Sequence, residues 1–119
     1  MSTHNLRIGA HGEQCATDYL MSHGYDIIER NWRCPAGEVD IVAKQPGGPV
    51  CLIEVKTRTT LAYGHPAESI TRTKLACMRQ VAGFWRRERG GPHPLRLDLI
   101  CITLDEDEPD IWHLAGVDR

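Results

Sequence analysis

A mixed α/β fold with elements in the order α-β-β-β-α-β is what this sequence predicts, on three observations. Apolar and small residues recur at helical spacing over the first 23 positions. Short runs rich in Ile and Val follow, separated by proline and glycine clusters. A second helical stripe then leads into one more apolar run, and a strand-helix-strand sequence implies a right-handed crossover that sets two strands parallel in a mixed sheet.

Ile8, Gly12, Cys15, Ala16, Tyr19, Leu20 and His23 mark the first helix, and Gly24 supplies its C-terminal stop. Tyr25 to Trp32, containing Ile27 and Ile28, reads as the first strand, Val39 to Ala43 as the second and Val50 to Thr57 as the third. Pro35-Ala36-Gly37 and Gln45-Pro46-Gly47-Gly48-Pro49 turn the chain between them, so the three strands should form an antiparallel meander. A loop around Tyr63-Gly64-His65-Pro66 leads to a second helix, starting near Thr71 and ending before Gly90-Gly91, with Leu75, Met78, Ala82 and Trp85 on its apolar stripe. Leu95 to Leu104 is the fourth strand, and a short last strand, Ile111 to Leu114, follows an acidic turn near 105–110.

The 119 residues suit one domain, large enough for a real core. No apolar stretch approaches the roughly twenty residues that cross a bilayer, and Met1-Ser2-Thr3-His4-Asn5 lacks a charged-then-apolar secretory pattern, so a soluble cytoplasmic protein without membrane contact is expected. Cysteines 15, 34, 51, 77 and 101 are odd in number and widely spaced, which excludes a disulfide framework or a zinc knuckle and predicts reduced, mostly buried thiols. The net charge of −2 is uneven: residues 105 to 119 hold six of the 16 acids and one of the 14 Lys and Arg residues, which leaves the body before them basic by three. That body can attract phosphate weakly.

The informative stretches are Gly37-Glu38-Val39-Asp40-Ile41-Val42 and Ile53-Glu54-Val55-Lys56, which set charges inside apolar strand-like runs. Strand side chains alternate, so Glu38 and Asp40 share one face of the first run and Glu54 and Lys56 one face of the second, where three carboxylates and one ammonium should converge. Ionised groups in an apolar interior cost several kcal/mol unless they are paired or bind metal, and a divalent metal supplies the explanation. Magnesium takes hard oxygen ligands, is held by one or two carboxylates, and lowers the pKa of bound water, which is what phosphodiester hydrolysis needs. Asp40 and Glu54 are the expected ligands, the Val55 carbonyl a third oxygen, Glu38 a weaker candidate ligand, and Lys56 the group that orients water or steadies the phosphate.

Asp40 followed by Glu54-x-Lys56 at the end of an apolar strand resembles the PD-(D/E)xK nuclease motif, whose core has the same element order. The run Gly12-Glu13, Gly24-Tyr25, Arg30-Asn31, Gly37-Glu38-x-Asp40, Glu54-Val55-Lys56-Thr57-Arg58, Gly64, Lys74 and Arg96-x-Asp98 resembles the small bacterial YraN-like family across nearly the whole chain. That family is similar in fold to archaeal Holliday junction resolvases. The resemblance implies a restriction-endonuclease-like core, Asp40 and Glu54 as metal ligands, Lys56 as the catalytic lysine, and Glu13 as a further acid facing the site. It also implies a DNA substrate, branched or structured. Val39 stands where the motif has proline, a residue that carries no chemistry.

The remaining candidates are DNA contacts. Arg72, Arg79 and Arg86 recur every seven residues along the second helix, a solvated face or a track for backbone phosphates. Lys74 lies near that helix's start, where dipole and ammonium together suit a phosphate, and Arg58 and Tyr63 flank the site on a glycine-containing loop. Arg96 and Asp98 share a strand face and read as a salt bridge. The histidines have no metal-ligand spacing, and Trp32, Trp85 and Trp112 read as packing. These features predict a Mg2+- or Mn2+-dependent endonuclease on DNA, for which a symmetric dimer would suit the cutting of two strands. The alternatives are a non-catalytic nucleic-acid-binding module and a protein adaptor docking through its acidic tail.

Overall fold

The computed structural model describes residues 3–118 except 60–63, 65, 91–93 and 105–107. Tyr63 and the acidic turn's Asp105, Glu106 and Asp107 therefore lie outside the described residues. The elements are α1 (Thr3–Ser22), β1 (Asp26–Cys34), β2 (Gly37–Lys44), β3 (Val50–Arg58), α2 (Arg72–Glu88), β4 (Leu95–Thr103) and β5 (Asp110–Leu114), with a 3-10 turn at Pro66–Ser69 before α2. Helix α1 begins earlier than its apolar stripe, because residues 3–7 contain no proline or glycine to stop it. Its end is a Schellman cap: Tyr25 N donates to Leu20 O at 3.0 Å and Gly24 N to Met21 O at 3.0 Å, with Gly24 at φ 83. The second helix is capped where the sequence places its start, by Thr71, whose Oγ1 accepts from Lys74 N at 3.0 Å. No described helix is long and apolar enough to cross a membrane.

The sheet runs β1-β2-β3-β4-β5, antiparallel except for the β3–β4 pair, which is parallel across the α2 crossover. It is a mixed α/β core with the element order of the restriction-endonuclease-like fold. The helices cover it through two apolar clusters: Ala16 and Leu20 of α1 meet Ile41, Cys51, Ile53 and Ile100, and Met78, Val81 and Trp85 of α2 meet Val42, Leu52 and Leu97. Covered on both faces, β4 is buried from Arg96 to Thr103 and β3 from Cys51 to Ile53, while β1 at the sheet edge alternates half-buried and exposed positions. All five cysteines are free thiols; Cys51 and Cys101 are buried and the other three half-buried.

Gly12 and Ala16 let α1 lie close to the sheet. A Cβ at Gly12 would collide with the whole Thr57 side chain at the end of β3. Gly12→Ala should therefore cost about 1–3 kcal/mol by overpacking, partly offset by a helix-propensity gain of up to about 1 kcal/mol. The check is the urea midpoint; an unchanged or raised midpoint would show that the helix slides away at no cost.

Arg96 and Asp98 form the predicted ion pair, within a larger buried network. Asp98 is fully buried; it accepts from Arg96 Nε (2.9 Å) and Nη2 (2.8 Å), from His113 Nε2 (2.8 Å) and from Gly116 N (3.1 Å). Arg96 also donates to Gln45 Oε1 and to the Tyr25 hydroxyl, each at 2.9 Å. With His113 Nε2 donating to the carboxylate, Nδ1 is left to accept from Tyr19 OH at 3.0 Å. This network ties β4 and β5 to α1, to the start of β1 and to the β2–β3 turn.

Candidate active site

The β2–β3 ladder ends at Ile41↔Ile53, whereas β2 stays paired with β1 as far as Gly37. Beyond Ile53 the two strands part, and the β3 main chain on that side loses its ladder partner. Asp40 supplies a replacement: its Oδ2 accepts from Val55 N at 2.7 Å. A strand residue sends its N–H and C=O out on the same side, so the Val55 carbonyl leaves β3 on the side of Asp40. An open, polar cleft of about 380 Å³ lies at this fork, lined by Ile8, Gly9 and Glu13 of α1, by Asp40, and by Glu54 to Thr57 of β3. The close approach of Gly12 to Thr57 is what brings Glu13 to the strand ends.

Burial pushes the Asp40 carboxyl up to about 7, against the pull of the Val55 N–H, and the negative charges of Glu54, Glu13 and Glu38 push the same way. Burial likewise raises Glu13; Arg30 opposes it, while Glu38 and Glu54 add to the rise. Lys74 turns inward, with Nζ 2.7 Å from Glu54 Oε1. Burial disfavours its charge, but the bond and attraction to Glu54 outweigh this and raise its pKa.

The cleft thus joins Glu13, Asp40, Glu54, Val55 and Lys56. Other placements differ from expectation. The four charges are not all interior: Lys56 and Glu38 are exposed, because the forking strand ends reach the surface. Glu38 lines a narrow neighbouring crevice with Leu52, Glu54 and Met78, and lies 3.6 Å from Arg33 Nε. Lys74 belongs to the acidic site itself. Arg58 is not on a loop: it ends β3, is buried, and donates from Nε to Thr103 Oγ1 at 3.4 Å, because β3 runs longer than the glycines downstream suggest. This corrects the reading of Arg58 as a DNA contact. Arg72 and Arg79 are exposed on α2.

Asn31 is the residue that strand reasoning misses. It sits in β1 at φ 53, and its carboxamide, oriented to satisfy both neighbours, donates to Glu13 Oε1 at 3.0 Å and Glu38 Oε1 at 3.1 Å. Left-handed backbone is tolerated best by Asn among non-glycine residues, so the residue type was the available signal. Its amide spaces two acids that would otherwise repel.

Among the described residues no group of three or more His, Cys, Asp or Glu could hold a metal ion by itself. The donor set lining the cleft includes the Asp40 and Glu54 carboxylates and the Val55 main chain, all hard oxygens, and burial, reinforced by the neighbouring negative charges, raises Asp40 to about 7. This suits an ion such as Mg2+, which keeps several waters and takes few protein ligands.

Comparison with known proteins gives the chain's kinship. The sequence model of a family described as "Uncharacterised protein family UPF0102" matches residues 12–102. The chain belongs to this family. A "UPF0102 protein" of Beutenbergia cavernae is 45% identical over 112 residues, covering 92% of this chain and 94% of that protein. One from Renibacterium salmoninarum is 40% identical over 114 residues, 94% of this chain and 96% of that protein. One from Clavibacter michiganensis is 44% identical over 103 residues, 84% and 85% of the two chains. The matched span of the family runs from Gly12, beside Glu13, through Ile102, so it contains every cleft residue from Glu13 to Thr57, together with Asn31 and Lys74.

Proposed function

We propose that this member of the UPF0102 family is a metal-dependent endonuclease of DNA, using Mg2+ or Mn2+ and working in the cytoplasm, where its thiols stay reduced. The observation that carries this reading is the fork between β2 and β3, where Asp40, Glu54, the Val55 main chain and Lys56 line one polar cleft. Asp40 and Glu54 would hold the ion, with the Val55 carbonyl as a third oxygen. When bound, such an ion lowers the pKa of a water and offsets charge on the phosphate. Lys56, exposed at the cleft mouth, orients the attacking water and faces the phosphate oxygens as they gain charge. Glu13, spaced from Glu38 by Asn31, accepts or returns a proton at the cleft's α1 wall. Lys74 holds Glu54 in place until phosphate or metal engages it. Arg72 and Arg79 meet backbone phosphates beyond the scissile bond, and branched or structured DNA is the substrate favoured by resemblance to resolvases.

The test is a panel of labelled linear, nicked, flapped and four-way DNAs with Mg2+, Mn2+ or EDTA. Cutting should require metal and should fall by about a hundredfold or more in Glu54→Ala and Lys56→Ala, with DNA binding retained. Equal digestion by wild type and both variants would reveal a contaminant and remove the activity claim. Binding without cutting by any of them would leave a non-catalytic DNA-binding module.

A further inference from the structure

Outside the cleft, β1 and the C-terminal half of α2 border a second open groove of about 480 Å³, with Trp32, Arg33 and Pro35 on one side and Phe84, Arg87 and Glu88 on the other. Its chemistry is specific. The Arg87 guanidinium lies 4.5 Å from the centre of the Phe84 ring. Trp32 and Phe84 are each half-buried, so part of each ring remains open, and Trp32 is anchored where it packs on the α2-side core. None of the lining residues is Leu, Ile or Val. The groove offers π surfaces together with guanidinium groups, Arg87 lying over one face of the Phe84 ring, the combination that single-stranded nucleic acids use for base stacking and backbone attraction.

Charge and position agree with this. On the last turns of α2 and the facing strands, Arg33, Arg86, Arg87 and Arg89 stand against Glu29, Glu38 and Glu88, with Glu29 paired with Arg89 and Glu38 with Arg33. Side-chain contacts link the groove's rim to the cleft wall: Arg33 reaches Glu38, and Glu38 shares the Asn31 amide with Glu13.

We propose that this groove binds an unpaired nucleobase of the DNA substrate, stacked on Trp32 and Phe84, with Arg33 and Arg87 meeting the adjoining phosphates. This rests on the DNA reading above and deepens it: the preferred substrate carries a single-stranded segment.

The experiment is fluorescence anisotropy with the full chain in EDTA, so that no cutting is needed, using labelled oligo(dT), an abasic deoxyribose-phosphate strand of equal length, and a blunt duplex. Wild type should bind oligo(dT) about tenfold tighter than the abasic strand. Phe84→Leu should remove that preference and Phe84→Tyr should keep it. Arg87→Gln, at an exposed position that does not threaten folding, should weaken oligo(dT) several-fold with duplex affinity unchanged. Equal binding of oligo(dT) and the abasic strand by wild type, or a preference that survives Phe84→Leu, would overturn the groove. Failure of the nuclease reading looks different: no cutting in Mg2+ with the base preference intact.

Discussion

Asp98→Ala should destabilise the protein by about 3–5 kcal/mol, a large part of the about 5–15 kcal/mol that holds a typical domain together. The truncation leaves the buried Arg96 guanidinium without its counter-charge and takes away the acceptor used by His113 and by the Gly116 N–H. Lost partners are costlier than a lost ion pair, since each buried donor keeps its desolvation penalty. A control separates the two costs: Asp98→Leu combined with Arg96→Met removes both charges and should recover part of the loss. Burial alone would raise the Asp98 carboxyl, but the bonds from His113, Arg96 and Gly116 more than reverse this and hold it below its ordinary value. A carboxyl lowered in the folded state stabilises fully above its unfolded value, near 3.9, and loses that contribution as pH falls through the folded value. Acid unfolding of the wild type should therefore lie below about pH 4, and the Asp98→Ala curve should lack that limb. A urea midpoint for Asp98→Ala within about 1 kcal/mol of wild type would mean the network is ornamental.

Asp40→Asn should make the metal-free protein more stable at pH 8, by roughly 1–3 kcal/mol. The Asp40 carboxyl is raised from 3.8 to about 7, chiefly by burial, with Glu54, Glu13 and Glu38 adding to it. A shift of that size corresponds to about 4 kcal/mol at most, and solvent in the open cleft reduces it. Between pH 4 and 7 the folded state holds a proton that the unfolded chain has released, so wild-type stability declines across that window and stays low above it. Asparagine is neutral and still offers the oxygen that Val55 N–H needs, so its curve should be flat there. Mn2+ should raise the wild-type melting temperature by mass action and leave Asp40→Asn nearly unmoved. Thermal unfolding at pH 5, 6, 7 and 8, with and without Mn2+, reads both effects. If the variant is no more stable at pH 8, or responds equally to Mn2+, then Asp40 does not carry the strain of an ion site.

The legible parts of this site were those governed by local geometry. Glu54 and Lys56 sit two apart on a strand, and Arg96 and Asp98 do the same, so alternation alone pairs them. Thr71 was readable as a helix start because its hydroxyl caps the helix three residues on. Arg58 was misplaced because strand ends are the least local feature of a strand: whether it leaves the sheet depends on β4, where Leu104 N donates to Arg58 O at 2.8 Å. Lys74 pointed toward solvent phosphate on the helix alone, and toward Glu54 only once α2 was set on the sheet.

Pattern along the chain determined the order of helices and strands, the stops between them and the charges carried into apolar runs, because each depends on neighbours within a few residues. It could not determine where β2 and β3 part, which acids Asn31 would separate, or that His113 and Gly116 would close around Asp98. Those are meetings between residues 7 to 18 positions apart in sequence, and only packing of the whole sheet against both helices decides which side chains share a buried volume and must settle their charges together.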